Sequence, residues 1–311
     1  MISVPNELVV YPKKKRPMGE ERSLYDVVEK ELLGIKGLVK YLQIFERDII
    51  SCYPILFPLP KRKDYLYRKA RDYFFFAVIP SIEIIKNEEL KKKHEKHLLR
   101  VQTLLALSER FLNNVVDGHS RYIQDDLIFY AYVIHEAINL LSNELSVIGI
   151  PLHDLFKKFK EIAQSAYFKI PNKNKPSTNK TDIKIWENAN HLWKRAGSMF
   201  IIPLLLETTP HGLKALENYM SANILIDDLL DLFDDYKHNR ETLPLVLWKI
   251  YSQEMVFNKW ASDFVIKETL NTIIKLLEKS SKLFDKDGLN YPSQTAKILK
   301  DKYCEWFPEY I

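Results

Sequence analysis

Tight hairpins and nucleotide-binding turns both consume glycine, and this chain carries only 8 glycines in 311 residues. That shortage argues against sheets. It argues equally against phosphate loops, and neither G-x-G-x-x-G nor G-x-x-x-x-G-K-[ST] occurs. Instead, apolar residues recur with helical period over roughly 23–50, 63–87, 90–116, 122–148, 152–168, 182–206, 210–236, 241–280 and 292–305. Prolines 54, 58, 60, 80, 151, 203, 210 and 292 fall mostly at or near the joints. The pattern predicts an all-α fold, a bundle of about nine helices. Helices 101–116, 122–148 and 210–236 are apolar nearly all round, which predicts an interior place for each.

The stretch KIPNKNKPSTNKTD, 169–182, is polar, basic and poor in core formers, and reads as a mobile surface loop. Residues 1–20 read as a basic N-terminal arm and 21–311 as one all-α domain. The basic run of the arm follows a short apolar stretch, the reverse of a secretory signal. Cys52 and Cys304 make neither a C-x-x-C pair nor a disulfide framework, so reduced thiols in a cytoplasmic protein are expected. The longest apolar stretches, YFFFAVIP and MFIIPLLL, are too short to span a bilayer, though a greasy substrate would leave peripheral contact with lipid open. A net charge of +5 from dispersed lysines suits an anionic ligand and falls short of a nucleic-acid surface.

The segment ILIDDLLDLFDDYKHNRETLPLVL, 224–247, packs five aspartates into nine positions among leucines. With Asp227 at zero and about 100° per residue, Asp231 falls at about 40°, Asp235 at about 80°, Asp228 at about 100° and Asp234 at about −20°. Asp227, Asp231 and Asp235 thus form one ridge of carboxylates. From Ala215 to Tyr236 there are six acids and no lysine or arginine. Like charges at i, i+4 repel, and a solvated helix face commonly interleaves the two signs. A wet acidic face is the plain explanation. A divalent-metal site is the sharper one, because hard cations take oxygen ligands and stacked carboxylates present them.

ILIDDLLDLFDD followed by RETLPLVL resembles the second aspartate-rich motif of the class I isoprenoid synthases, the superfamily of trans-prenyl diphosphate synthases, squalene and phytoene synthases and class I terpene cyclases. Asp227, Asp228 and Asp231 match its D-D-x-x-D form, Asp227, Asp231 and Asp235 its i, i+4, i+8 form, and Thr242–Leu243–Pro244 the segment that opens the next helix. LWKRAGSMFIIPLLL, 192–206, is similar to the family helix that precedes this motif. There Arg195, about 32 residues before Asp227, stands where the family places a basic residue on the diphosphate, with Lys194 beside it. Arginine suits that role because its planar fork takes two phosphate oxygens at once. The first aspartate motif is degenerate: Asn113, Asn114 and Asp117 hold its register as N-N-x-x-D, and Arg110 lies near the same face. Asp125 and Asp126, the remaining nearby acids, read as the first turn of the next helix.

The resemblance implies a single-domain helix bundle of the terpenoid-synthase type with a central cavity, and Mg²⁺, or Mn²⁺ in its place, as cofactor. It implies metal ligands among Asp227, Asp228, Asp231, Asp235, Asn113 and Asp117, and diphosphate contacts from Arg195, Lys194, Arg110, Lys237 and Arg240. Asp227, Asp231 and Arg195 would carry catalysis. The family's G-G-K-R-x-R-P segment for a second diphosphate is absent, which favours cyclisation or elimination from one polyprenyl diphosphate. Condensation of two prenyl units is the alternative. A non-catalytic subunit partnering a prenyl synthase is a third reading, suggested by the NNVVD motif. A homodimer, or a hetero-oligomer with a prenyl synthase, is the assembly expected.

Overall fold

The computed structural model describes residues 24–57, 65–116, 123–147, 188–232, 235, 242–251 and 259–310, with single positions between 149 and 161. Within these residues the chain is helical, and the one pairing of extended backbone is an isolated antiparallel bridge between Ile85 and Thr208. The all-α expectation is borne out. The arm at 1–20, the loop at 169–182 and most of the predicted helix 152–168 lie outside the described residues.

In chain order the helices are α1 (Leu24–Leu33), α2 (Leu38–Ile44), α3 (Tyr65–Tyr73), α4 (Ile79–Glu83), α5 (Glu88–Val116) and α6 (Ile123–Val147). A 3-10 segment, Asn188–Phe200, leads into α7 (Ile201–Leu205). Then come α8 (Gly212–Leu230), α9 (Leu243–Tyr251), α10 (Lys259–Lys286) and α11 (Asn290–Trp306).

The predicted helix 23–50 is broken between α1 and α2 because Gly37 sits at φ +95°, in the left-handed region that glycine enters freely. Two π-helical turns, Phe45–Ile49 after α2 and Phe74–Val78 after α3, insert an extra residue into their helices. Their aromatics meet: the Phe45 and Phe74 rings lie 5.2 Å apart, and Phe75 packs on Phe74 at 5.0 Å and on Tyr25 at 4.7 Å. Burial of that cluster fastens α1, α2 and α3 into one corner.

α5 starts where Asn87 Oδ1 accepts the Leu90 N–H at 2.9 Å, a side-chain cap, with Glu88 and Glu89 favourably placed in the first turn. Its charged first half gives way to a run from Leu98 to Leu107 that is buried except at Arg100. α8 packs against α10 and the 3-10 segment, and the Ser280 hydroxyl donates to the Ala215 carbonyl at 2.8 Å across the α8–α10 contact. The start of α8 is pressed against the α4–α5 turn so closely that a Cβ on Gly212 would stand 2.8 Å from that of Ile84.

The main core runs from Tyr25 to Phe307, and a smaller cluster of Leu232, Leu245, Leu247, Trp248 and Val265 joins α9 to the start of α10. α5 and α8 take the interior places expected of them. α6 does not. Among the described residues it packs chiefly on α5 and shows Leu127, Ile128 and Val147 to solvent, so an apolar circumference did not suffice to place it inside. The expected helix 241–280 is described as α9 and, from Lys259, as α10, which continues to Lys286.

Candidate functional site

The acidic ridge survives in the backbone. The Asp231 N–H bonds the Asp227 carbonyl at 2.9 Å and the Asp235 N–H bonds the Asp231 carbonyl at 2.8 Å, so the three stand on successive turns. Burial divides the side chains unevenly. Asp228 and Asp235 are turned inward at 3% and 4% exposure, Asp231 at the C-terminal cap of α8 is half-buried, and Asp227 is exposed. The inward edge of the arc therefore lies nearer 90° than 40° on the helical wheel. Asp227 forms its outer rim.

Facing that edge is the 3-10 segment, an unusual length of this geometry. It is joined to α8 where the Ser221 hydroxyl accepts the Trp193 N–H at 3.1 Å. Two residues on, Arg195 Nη1 donates to both oxygens of Asp228, at 2.9 and 2.6 Å. Desolvation works against the guanidinium charge, and Asp228, Asp227 and Asp235 together outweigh it and hold the Arg195 pKa above its usual value. Burial pushes Asp228 up to about 6 in spite of Arg195.

Arg195 remains about half exposed (48%), and among the described residues its Nε and Nη2 carry no hydrogen bond. Lys194 is half-buried beside it. The segment is bent between Arg195 and Ser198, where Ala196 leaves helical geometry at φ −101°, ψ 39°. Beyond the bend, α5 holds the chain: Gln102 Nε2 donates to the Ser198 carbonyl at 2.7 Å, and the Ser198 hydroxyl donates to Glu109. Burial raises the Glu109 carboxyl to about 7, against the opposing pull of Ser198 and Arg195.

The structure thus brings Arg195 together with Asp227, Asp228 and Asp235, as the sequence suggested. It also shows two things the sequence did not. Asp228 is engaged by Arg195, so it is an anchor for the basic residue before it is a metal ligand. Glu109 reaches the same site from α5, one turn before Asn113. Its only sequence signal was that i−4 spacing from the N-N-x-x-D register, and a Glu–Arg dipeptide is ordinarily a surface pair. Arg110 is half-buried on α5 next to it. Asn113 and Asn114 fall in the last turn of α5, their side chains outside the described residues, as are Asp117, Asp234, Lys237, Arg240 and the side chains of Asp125 and Asp126. Thr242–Leu243–Pro244 does open a helix: α9 begins at Leu243 and the Thr242 carbonyl accepts the Val246 N–H at 2.9 Å.

The donors on the ridge are carboxylate oxygens, the chemistry that Mg²⁺ takes. Among the described residues no three His, Cys, Asp or Glu side chains are gathered into a ready-made cage. Mg²⁺ is commonly held by one or two carboxylates together with substrate phosphates, and Asp227 and Asp231 at the rim fit that pattern. A scan against protein-family models finds no match to this chain, and searches of curated proteins and of solved structures find none.

Proposed function

We propose that the chain is a Mg²⁺-dependent class I terpenoid synthase that ionises a linear polyprenyl diphosphate and releases pyrophosphate. The observation that supports this most is Arg195: anchored by one nitrogen to Asp228, with two donor nitrogens unspent, beside a ridge of aspartates on an interior helix. A guanidinium held in this way is preorganised for phosphate oxygens, because Asp228 fixes its place while Nε and Nη2 point to no protein partner among the described residues. Asp227 and Asp231 supply oxygen donors on the exposed rim. Bound there with the diphosphate, Mg²⁺ would neutralise charge growing on the leaving group. The YFFF stretch belongs to the α1–α3 corner and serves packing.

Incubating the purified chain with Mg²⁺ and geranyl, farnesyl, geranylgeranyl or longer diphosphates tests the reading by pyrophosphate release and extraction of products. Release from one substrate alone supports cyclisation or elimination, and dependence on isopentenyl diphosphate supports condensation. Asn113 and Asn114 favour a second reading, a subunit that binds a prenyl synthase, and silence until such a partner is added supports it. No release under any of these conditions removes the enzymatic reading.

A further inference from the structure

The bend at Ala196 leaves the chain to be held by a neighbour, and α5 holds it. The Ser198 hydroxyl donates to the Glu109 carboxylate, and the Ser198 carbonyl accepts from Gln102 at 2.7 Å. The hydroxyl and the carbonyl of Ser198 are therefore both taken up by side chains of one neighbouring helix. Gln102 is fully buried, so α5 forms a rigid mount at this point. Three residues back along the segment stands Arg195, separated from Ser198 only by Ala196 and Gly197.

We propose that Glu109 is a positioning residue: by holding the Ser198 hydroxyl just past the bend it sets where Arg195 stands, and so how tightly the site takes a diphosphate. This rests on the functional reading above for the ligand, and on the hydrogen bonds of Ser198 to Glu109 and Gln102 for the mount. An ionised carboxylate accepts the hydroxyl where a protonated one presents a donor of its own. Among the described residues, Arg195 on the facing segment is the charged group whose field bears on Glu109, and Arg110 neighbours it on its own helix. Because burial lifts Glu109 to about 7, the mount is complete above neutrality and loosens below it.

The experiment has two readouts on the full chain. Backbone hydrogen exchange across 196–200, corrected for the intrinsic rate, reports the mount without any ligand. Wild type is expected to gain about tenfold protection there between pH 6 and 8, with that step absent in Glu109→Gln and protection low throughout in Ser198→Ala, which keeps the ionisable group and guards against a misfolded variant. Titration calorimetry with inorganic pyrophosphate and Mg²⁺ reports the consequence, an affinity weakened about tenfold in Ser198→Ala and less in Glu109→Gln, where one acceptor oxygen remains. Unchanged exchange in both variants overturns the positioning role whatever the ligand data show. A mount that responds as expected in a wild type that binds no pyrophosphate retains the role of Glu109 and removes the diphosphate reading.

Discussion

Two parts of the molecule bury carboxylates, and they use them differently. In the α1–α3 corner, Asp72 is sequestered beside the Tyr25–Phe75–Phe45 ring cluster, and its two oxygens accept the N–H groups of Leu24 at 3.2 Å and Tyr25 at 2.9 Å. Burial raises its pKa, and those backbone donors pull the other way. Both acceptors are spent on starting α1. At the α5–α8 site, Asp228 and Glu109 are raised by the same cause, but what they hold differs: Arg195, whose Nε and Nη2 carry no hydrogen bond among the described residues, and Ser198 beside a bend. A buried charge is thus no mark of function in itself, and the proposed reading rests on the donors beside it.

The largest effect expected on this contrast is at the ridge. Asp231→Ala or Asp227→Ala should abolish pyrophosphate release, a loss of at least about a hundredfold, with helical content by circular dichroism largely kept, since both side chains lie toward the rim. Full turnover in Asp231→Ala would remove the metal assignment. Asp72→Ala should do the opposite. It strands two N–H groups at a helix start and should lower stability by about 3 kcal/mol in denaturant titration, while leaving pyrophosphate affinity alone. A loss of affinity in Asp72→Ala without unfolding would join the two regions that this comparison separates.

How much of this could be read from residues alone follows from what each element depends on. α5, α8 and α11 were legible because a 3.6-residue apolar period is a local signal. The ridge was legible for the same reason: i, i+4, i+8 is a property of one helix. The place of α6 was not, since a helix apolar all round is silent about how many neighbours it has. Nor was the 3-10 geometry of 188–200 or its bend at Ala196, beside which Glu109 and Gln102 of α5 hold Ser198 from a distant part of the sequence. Arg195 was singled out through the family resemblance and its distance to Asp227, yet its bond to Asp228 needed the angle between two segments, which spacing does not encode.

The smallest expected effect separates the two kinds of buried carboxylate by pH. Glu109 keeps its proton to about pH 7 in the fold, against an ordinary value of 4.5. Between those limits the folded chain holds a proton that the unfolded chain has released, so stability falls as pH rises through the window and is flat above it. Glu109→Gln cannot lose that proton. Relative to wild type it should gain about 2 kcal/mol between pH 4.5 and about 6.5, read as diverging melting curves. Asp72 and Asp228 slope the wild-type curve in the same direction, but they are present in both proteins and cancel in the difference. The gain in stability would come with a looser mount at Ser198 and weaker pyrophosphate binding, the exchange expected where a charge is kept buried for what it holds in place. Parallel curves for the two proteins would mean that Glu109 is ionised in the fold without penalty, and the distinction between the corner and the site would then rest on Arg195 alone.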